Sequence, residues 1–276
     1  MLRLSQAYPL PDKPDYWHYL VFFDIETTGF HRRYHQVGLI SLAYLKDEQL
    51  QVIQYFAEDS SEEGLIITSA LREINQQLAY VSYNGDRFDI PFLNQRADHL
   101  QLGSRLEAKR SIDLYRLRGK DRLKQTESDS GFDRQDDISG AEWAELYQNY
   151  LKQPDLATRE RLLLHCRDDI LSLVQLLDNS ADYRSAVQEK LVFDPPGVIE
   201  QLIASPGNLR VHLIDRANQS ETIDFPLVDT PHFSILDDPL FDQLEPAEKQ
   251  QLVLIEHGHI MKDRVHYLIQ RRRAAD

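Results

Sequence analysis

Apart from Asp24, residues 19–25 are all aromatic or aliphatic, the pattern of a strand buried on both faces. Residues 37–45 and 51–56 read as two more strands. The connections carry Gly29 and the polar run Lys46-Asp47-Glu48, so the three strands are expected to form an antiparallel meander. Leu65, Leu71, Ile74 and Leu78 recur at helical spacing through residues 61–78, although Ser61 with Gly64 three positions later is a weak helix start. Residues 79–83 form a short strand ending at the turn signal Asn84-Gly85. Residues 86–102 are helical, with Phe88, Phe92, Leu93 and Leu100 inward and Asp86 as the expected cap. A fifth strand is expected at 111–115, a polar loop at 128–139, and two helices at 141–151 and 156–177, parted by Pro154.

The character changes near Asp178, and Asp194-Pro195-Pro196-Gly197 is a strong break. Beyond it, residues 209–214 and 222–227 read as a hairpin, and 252–256 with 265–269 as another strand pair. The expected class is therefore α/β: a mixed five-stranded sheet flanked by helices over residues 15–180, then a small C-terminal α+β appendage over 185–276. Folds of this kind carry their active sites at strand ends.

Acidic residues fall at those ends. Asp24 and Glu26 lie two apart in the first strand and so share one face, while Phe23 and Ile25 take the other. Two such carboxylates repel unless a cation bridges them, and hard oxygen donors suit Mg²⁺ or Mn²⁺; the alternative is an ordinary polar strand end. Asp89 sits in the first turn of a helix, where the helix dipole alone favours an acid. If Asp86 caps that helix, Asp89 is left for a ligand role. In the last helix, Leu163, Cys166, Ile170, Val174 and Leu177 form the inward stripe. At roughly 100° per residue Asp168 points about 160° from its centre, toward solvent, whereas Asp169 lies about 100° away and about 40° from His165. Asp169 is thus the expected ligand, with His165 beside it at i, i+4.

Composition narrows the class. A 42% hydrophobic content is that of a globular chain, and the single cysteine, Cys166, excludes an internal disulfide and fits a reducing, cytoplasmic setting. The first 15 residues hold three prolines and no sustained apolar core, so neither a signal peptide nor a membrane anchor is expected. No phosphate-binding G-x-x-x-x-G-K-[ST] loop occurs, which argues against a nucleotide-driven motor. A net charge of −14 opposes long-range attraction to nucleic acid. Between Arg105 and Lys124, however, eight basic residues stand against three acidic ones. That stretch is either a solvated face or a local track for phosphates, with Arg116, Arg118, Lys120 and Lys124 as candidates.

The three acidic motifs together resemble the DEDD (DnaQ-like) 3′–5′ exonuclease superfamily, on a ribonuclease H-like fold, over roughly residues 19–178. Asp24 and Glu26 correspond to its first motif, Asn84 with Asp89 to its second, and Asp169 to its third. The chain more closely resembles the YprB-like branch, through Leu123-Lys124-Gln125-Thr126-Glu127, the segment from Gly131 to Gly140, and His165-x-x-x-Asp169.

The resemblance implies a metal-dependent exonuclease acting on DNA or RNA, entered from a single-stranded end. It implies two Mg²⁺ or Mn²⁺ ions, one on Asp24, Glu26 and Asp169, the other on Asp24 and, through water, Asp89. His165 would orient or deprotonate the attacking water, and Asn84, Thr27 and Thr28 would meet the substrate's terminal sugar or phosphate. One departure stands out: superfamily members with a histidine base usually place it five residues before the last aspartate, and those with a spacing of four use tyrosine. The rivals are an inert nucleic-acid- or protein-binding module on the same fold, and an endonuclease.

Overall fold

The computed structural model describes residues 1–118, 123, 131–241 and 249–273, which fall into two compact units, Met1–Arg184 and Ser185–Asp276.

The first unit is built on a six-stranded sheet of order β1-β4-β3-β2-β5-β6. Strands β2 (Leu20–Thr27), β3 (Val37–Lys46) and β4 (Gln49–Phe56) form the expected antiparallel meander. On the other side of β2, β5 (Ala79–Ser82) and then β6 (Ser111–Asp113) run parallel to it. The sixth strand is β1 (Leu2–Pro9), which pairs antiparallel with β4 along its whole length. It corrects the five-strand expectation. Its burial alternates only weakly, as an edge strand's does, and Pro9 and Pro11 disguise it in the sequence.

Strand β2 has a helical layer on each face. Val21, Phe23 and Ile25 pack with Ile66, Ile67, Ala70, Leu71 and Ile74 of α1 (Glu63–Ile74) and Phe92 and Leu93 of α2 (Asp89–His99). Buried Glu63 ties that layer together, accepting from Val37 N at 2.9 Å and from Arg96 of α2 at 2.8 and 2.6 Å. A short helix, α3 (Leu114–Arg118), follows β6. On the opposite face, Leu39 and Phe56 pack with Trp143, Tyr147 and Tyr150 of α4 (Gly140–Lys152) and with Leu162, Leu163 and Cys166 of α5 (Leu156–Asn179). Ser139 and Glu142 form a capping box that starts α4, and Asp155 caps α5 through Thr158 N.

Residues 131–139, read as a loop, form a strap with no regular secondary structure that leads into α4. A further helix, α6 (Ala181–Gln188), follows α5.

The second unit is a seven-stranded antiparallel sheet of order β13-β12-β11-β10-β9-β8-β7, which starts with β7 (Leu191–Val192) and β8 (Gly197–Ser205). The expected hairpin is there as β9 (Asn208–Ile214) and β10 (Ser220–Asp229). The second expected pair is corrected: β12 (Val253–Glu256) pairs with β11 (Phe233–Leu236) and β13 (His259–Ile260), whereas residues 265–269 lie in a helix, α7 (Lys262–Arg273). Val265, Leu268 and Ile269 stand at i, i+3, i+4 and pack with Val211, Phe225 and Leu254, so the helical period outweighs β-branching.

Among the described residues no helix is long and apolar enough to cross a membrane.

Candidate functional site

The side chains of β2 alternate as the sequence implies: Asp24 and Glu26 face α5, opposite Ser41 and Leu39 of β3. Helix α5 brings His165, Cys166 and Asp169 to the same place. His165 Nε2 lies 3.1 Å from Glu26 Oε1 and 3.7 Å from Asp169 Oδ2, and Cys166 Sγ lies 3.4 Å from Asp24 Oδ2. Two overlapping donor groups result, Asp24–Glu26–Cys166 and Glu26–His165–Asp169, each with its ligand atoms within 4.8 Å of one another. Asp89 joins from α2. Its Oδ1 accepts from Ile25 N at 3.2 Å, between the two β2 acids, and only 5% of the residue is exposed.

The turn before α2 makes that approach possible. Asn84 is in the left-handed region (φ 66°), and a Cβ on Gly85 would stand 2.2 Å from Ser82 Oγ. The expected cap fails here. Asp86 pairs with Arg116 at 2.5 Å instead, and the residue before α2, Phe88, makes no capping bond. The structural work at this corner is done by Asp113, which accepts from Asn84 N at 2.7 Å, Asp86 N at 3.3 Å and Tyr115 N at 3.1 Å. Asp89 therefore does have a structural bond, through Ile25.

Electrostatically the cluster is overloaded with acid. Burial, then the charges of Asp169, Asp89 and Glu26, push the Asp24 pKa well above the usual carboxylate range. Burial raises Glu26 too, against the opposing pull of His165. Burial lifts Asp89 to about 7 despite two backbone amides that favour its charged form, and Glu26 and Asp113 add to the rise. His165 responds in the opposite sense: burial disfavours its charge, but the hydrogen bond and charge of Glu26, with Asp169 and Asp136, override this and raise it to about 9. In this arrangement the ring carries its proton at neutral pH and donates, whereas the resemblance implied a group that orients or deprotonates the attacking water.

The Cys166 thiol is pushed well up by burial and by Asp24 and Glu26. In this arrangement it donates to Asp24 Oδ2.

Asp168 departs most from expectation. It is 3% exposed, not turned to solvent, and its Oδ2 accepts from the backbone amides of Gln135 and Asp136 at 2.7 and 2.9 Å. The helical period cannot reveal this, because the strap covers the outward side of α5. The strap also places two residues that sequence reasoning passed over. Arg134 pairs with Asp169 and, at 3.1 Å, with Asp136. Asp136 Oδ2 lies 2.6 Å from His165 Nδ1. The only signal for them was the segment from Gly131 to Gly140 in the YprB-like pattern.

The remaining candidates divide. Thr27 Oγ1 donates to Gly29 O at 3.0 Å and Thr28 Oγ1 accepts from Gln36 N at 2.9 Å, so both hydroxyls shape the loop after β2. Asn84 stands half-buried at the turn before α2. Of the basic stretch, Arg116 is exposed and paired with Asp86. Arg110 is 1% exposed and donates to the carbonyls of Leu78 and Gln77, a core role. Lys120 and Lys124 lie outside the described residues, as does the side chain of Arg118.

A mixed sheet with helices on both faces and an acidic cluster beside its central strand defines the class of protein. Residues 21–181 match the family described as the RNase_H superfamily, and the chain belongs to that family. The first unit accordingly has a ribonuclease H-like fold.

Among solved structures, the chain is similar to the family B DNA polymerase from the hyperthermophilic archaeon Pyrobaculum calidifontis, with 20% identity and a TM-score of 0.46. That match covers 58% of this chain and 24% of the polymerase, so the chain spans about a quarter of that protein's length. It is also similar to the Aedes aegypti Nibbler EXO domain, with 15% identity and a TM-score of 0.37, covering 62% of this chain and 81% of that one. No curated protein matches the chain.

Proposed function

We propose that the first unit is a divalent-metal-dependent nuclease of the DEDD type, in its YprB-like branch. On this reading it is a 3′–5′ exonuclease that hydrolyses phosphodiester bonds of DNA or RNA. The observation that carries it is the gathering of Asp24 with the buried acids Glu26 and Asp89 at one strand end, with Asp169 beside them and the first three pushed toward their neutral forms. Such a cluster is costly unless cations neutralise it. Carboxylate oxygens of Asp24 and Glu26, and of Glu26 and Asp169, lie within 4.8 Å of each other, and hard oxygen donors suit Mg²⁺ or Mn²⁺.

In the proposed site, Asp24, Glu26 and Asp169 would hold one ion, and Asp24 with, through water, Asp89 the other. When bound, the ions supply positive charge for the phosphate and the leaving oxygen and favour loss of a proton from an attacking water. The chain's own residues do the rest. His165 Nε2 stands over the cluster and orients the nucleophile. Asp24 is held by the Cys166 thiol and Asp89 by Ile25 N. Thr27, Thr28 and Asn84 are proposed to meet the terminal sugar or phosphate, and Arg116, Arg118, Lys120 and Lys124 are proposed for the backbone.

The test is digestion of end-labelled DNA and RNA oligonucleotides with Mg²⁺ or Mn²⁺. Laddering from the 3′ end is the expected result, and internal cuts would indicate an endonuclease instead. Asp24→Ala is expected to abolish metal-stimulated cleavage while the chain stays folded by circular dichroism; full activity in that variant would overturn the assignment.

One observation favours the rival reading of an inert binding module: the Arg134 guanidinium already pairs with Asp169. Titration with Mn²⁺ separates the two, since a module so neutralised takes up no ion.

A further inference from the structure

His165 sits one helical turn before Asp169, four residues away, and a side chain there has two rotatable bonds with which to turn its ring. Its contacts to Glu26 and Asp169 depend on the ring standing in one orientation. What holds that orientation comes from outside the helix. Asp136 Oδ2 meets His165 Nδ1 at 2.6 Å, and both side chains are nearly sealed from solvent, at 2% and 3% exposure. The carboxylate is itself fixed: its Oδ1 accepts from Ile138 N at 3.0 Å, and Arg134 Nη1 donates to its Oδ2 at 3.1 Å.

The backbone beneath it is fixed too. Asp168 Oδ2 accepts from both Gln135 N and Asp136 N, so α5 carries the anchor of the strap and the ring that the strap holds. At the far end, Ser139 is committed to the capping box of α4. A carboxylate on one imidazole nitrogen sets which nitrogen keeps its proton and where the other points.

We propose that Asp136 is a positioning residue: it holds the His165 imidazole by Nδ1 so that Nε2 faces Glu26 and Asp169. The assignment of a use to that orientation rests on the nuclease reading above. The pair answers the departure in spacing, because the histidine at the shorter interval is oriented by a partner 29 residues away in sequence rather than by the helix alone.

Two readouts on the full chain test it. In the first, Asp136→Asn, His165→Gln and the double variant are compared for Mn²⁺-stimulated cleavage of a labelled oligonucleotide. Asp136→Asn is expected to lower kcat by about 10- to 100-fold with KM within about twofold. The double variant is expected to be no slower than His165→Gln alone, because the two residues act as one unit. A kcat within twofold of the parent, or losses that multiply in the double variant, overturns the proposal.

The second readout is independent of activity. With ¹⁵N-labelled histidine, His165 is expected to show a slowly exchanging, downfield Nδ1 proton, assigned by its loss in His165→Gln and lost also in Asp136→Asn. Its persistence in Asp136→Asn overturns the proposal. Should that variant fail to fold, the parent spectrum decides: a protected Nδ1 proton supports the pair, and its absence overturns it. A parent chain that cleaves nothing with Mn²⁺ yet shows the resonance overturns the nuclease reading and leaves the Asp136–His165 pair standing.

Discussion

Asp168 and Asp169 are neighbours on one helix with different tasks. Asp169 belongs to the cluster around β2, where it meets His165 and Arg134. Asp168 accepts from two backbone amides of the strap and so fastens residues 135 and 136 to α5. Removing it leaves two amides without their partner in a nearly closed site. Asp168→Ala is therefore expected to lower stability by about 1–3 kcal/mol, read as a lower urea midpoint; an unchanged midpoint would mean the strap needs no such anchor. Asp24 differs again, because its substitution removes a charge from an already acidic cluster. Its effect on cleavage is expected to exceed its effect on folding.

Two elements make sharp demands on their sequence. Strand β3 passes under α4 so closely that a Cβ on Gly38 would stand 2.6 Å from the Tyr147 ring and 2.8 Å from Trp143. The stacked pair Trp143–Tyr147 is anchored by hydrogen bonds to Leu162 O and Ala57 O, so it cannot easily give way. Gly38→Ala is expected to cost about 1–3 kcal/mol through overpacking, measurable by thermal unfolding.

In the second unit, the β9–β10 hairpin carries Asp224 between Arg210 (2.8 and 3.1 Å) and Asn208 (2.9 Å). The hydrogen bonds of Arg210, then Asn208, hold the Asp224 pKa down at about 2. A depressed folded-state pKa contributes stability above the unfolded value of about 3.9, and that contribution is lost as pH falls toward 2. Asp224→Asn is accordingly expected to lower the melting temperature at pH 7 and to have a much smaller effect near pH 2. A pH-independent difference would assign the loss to something other than this charge.

At the scale of the whole molecule, the metal reading confines ion binding to one of two compact units, Met1–Arg184. An ion bound only by the folded state stabilises it by about 2.7 kcal/mol at a hundred times its dissociation constant. For a unit of this size that is roughly 5–10 °C in melting temperature. Mn²⁺ is expected to raise one thermal transition by that order and to leave a transition assigned to the second unit in place; no shift in either would sink the proposed metal site. The net charge of −14 opposes long-range attraction to nucleic acid, so any nucleic acid must be drawn by local positive charge.

Much of the first unit was legible from the chain alone, because strands and helices write their burial into a period of two or 3.6 residues. The meander, the helices on both faces, and Asp24 with Glu26 on one side of β2 all follow from that local period. The same logic placed His165 beside Asp169. It failed where burial is conferred by a segment distant in sequence. β1 became a strand only by pairing with β4, and Asp168 became buried only because residues 131–139 lie over it. The strap has no period of its own, so nothing local marks Asp136 as the partner of His165. Tertiary structure also moved the histidine's pKa, since its two nitrogens meet carboxylates from β2 and from the strap. The sequence by itself determined which side chains share a face; only the folded chain decided which distant groups close over them, because hydrogen bonds and charge act through space and leave no periodic trace along the backbone.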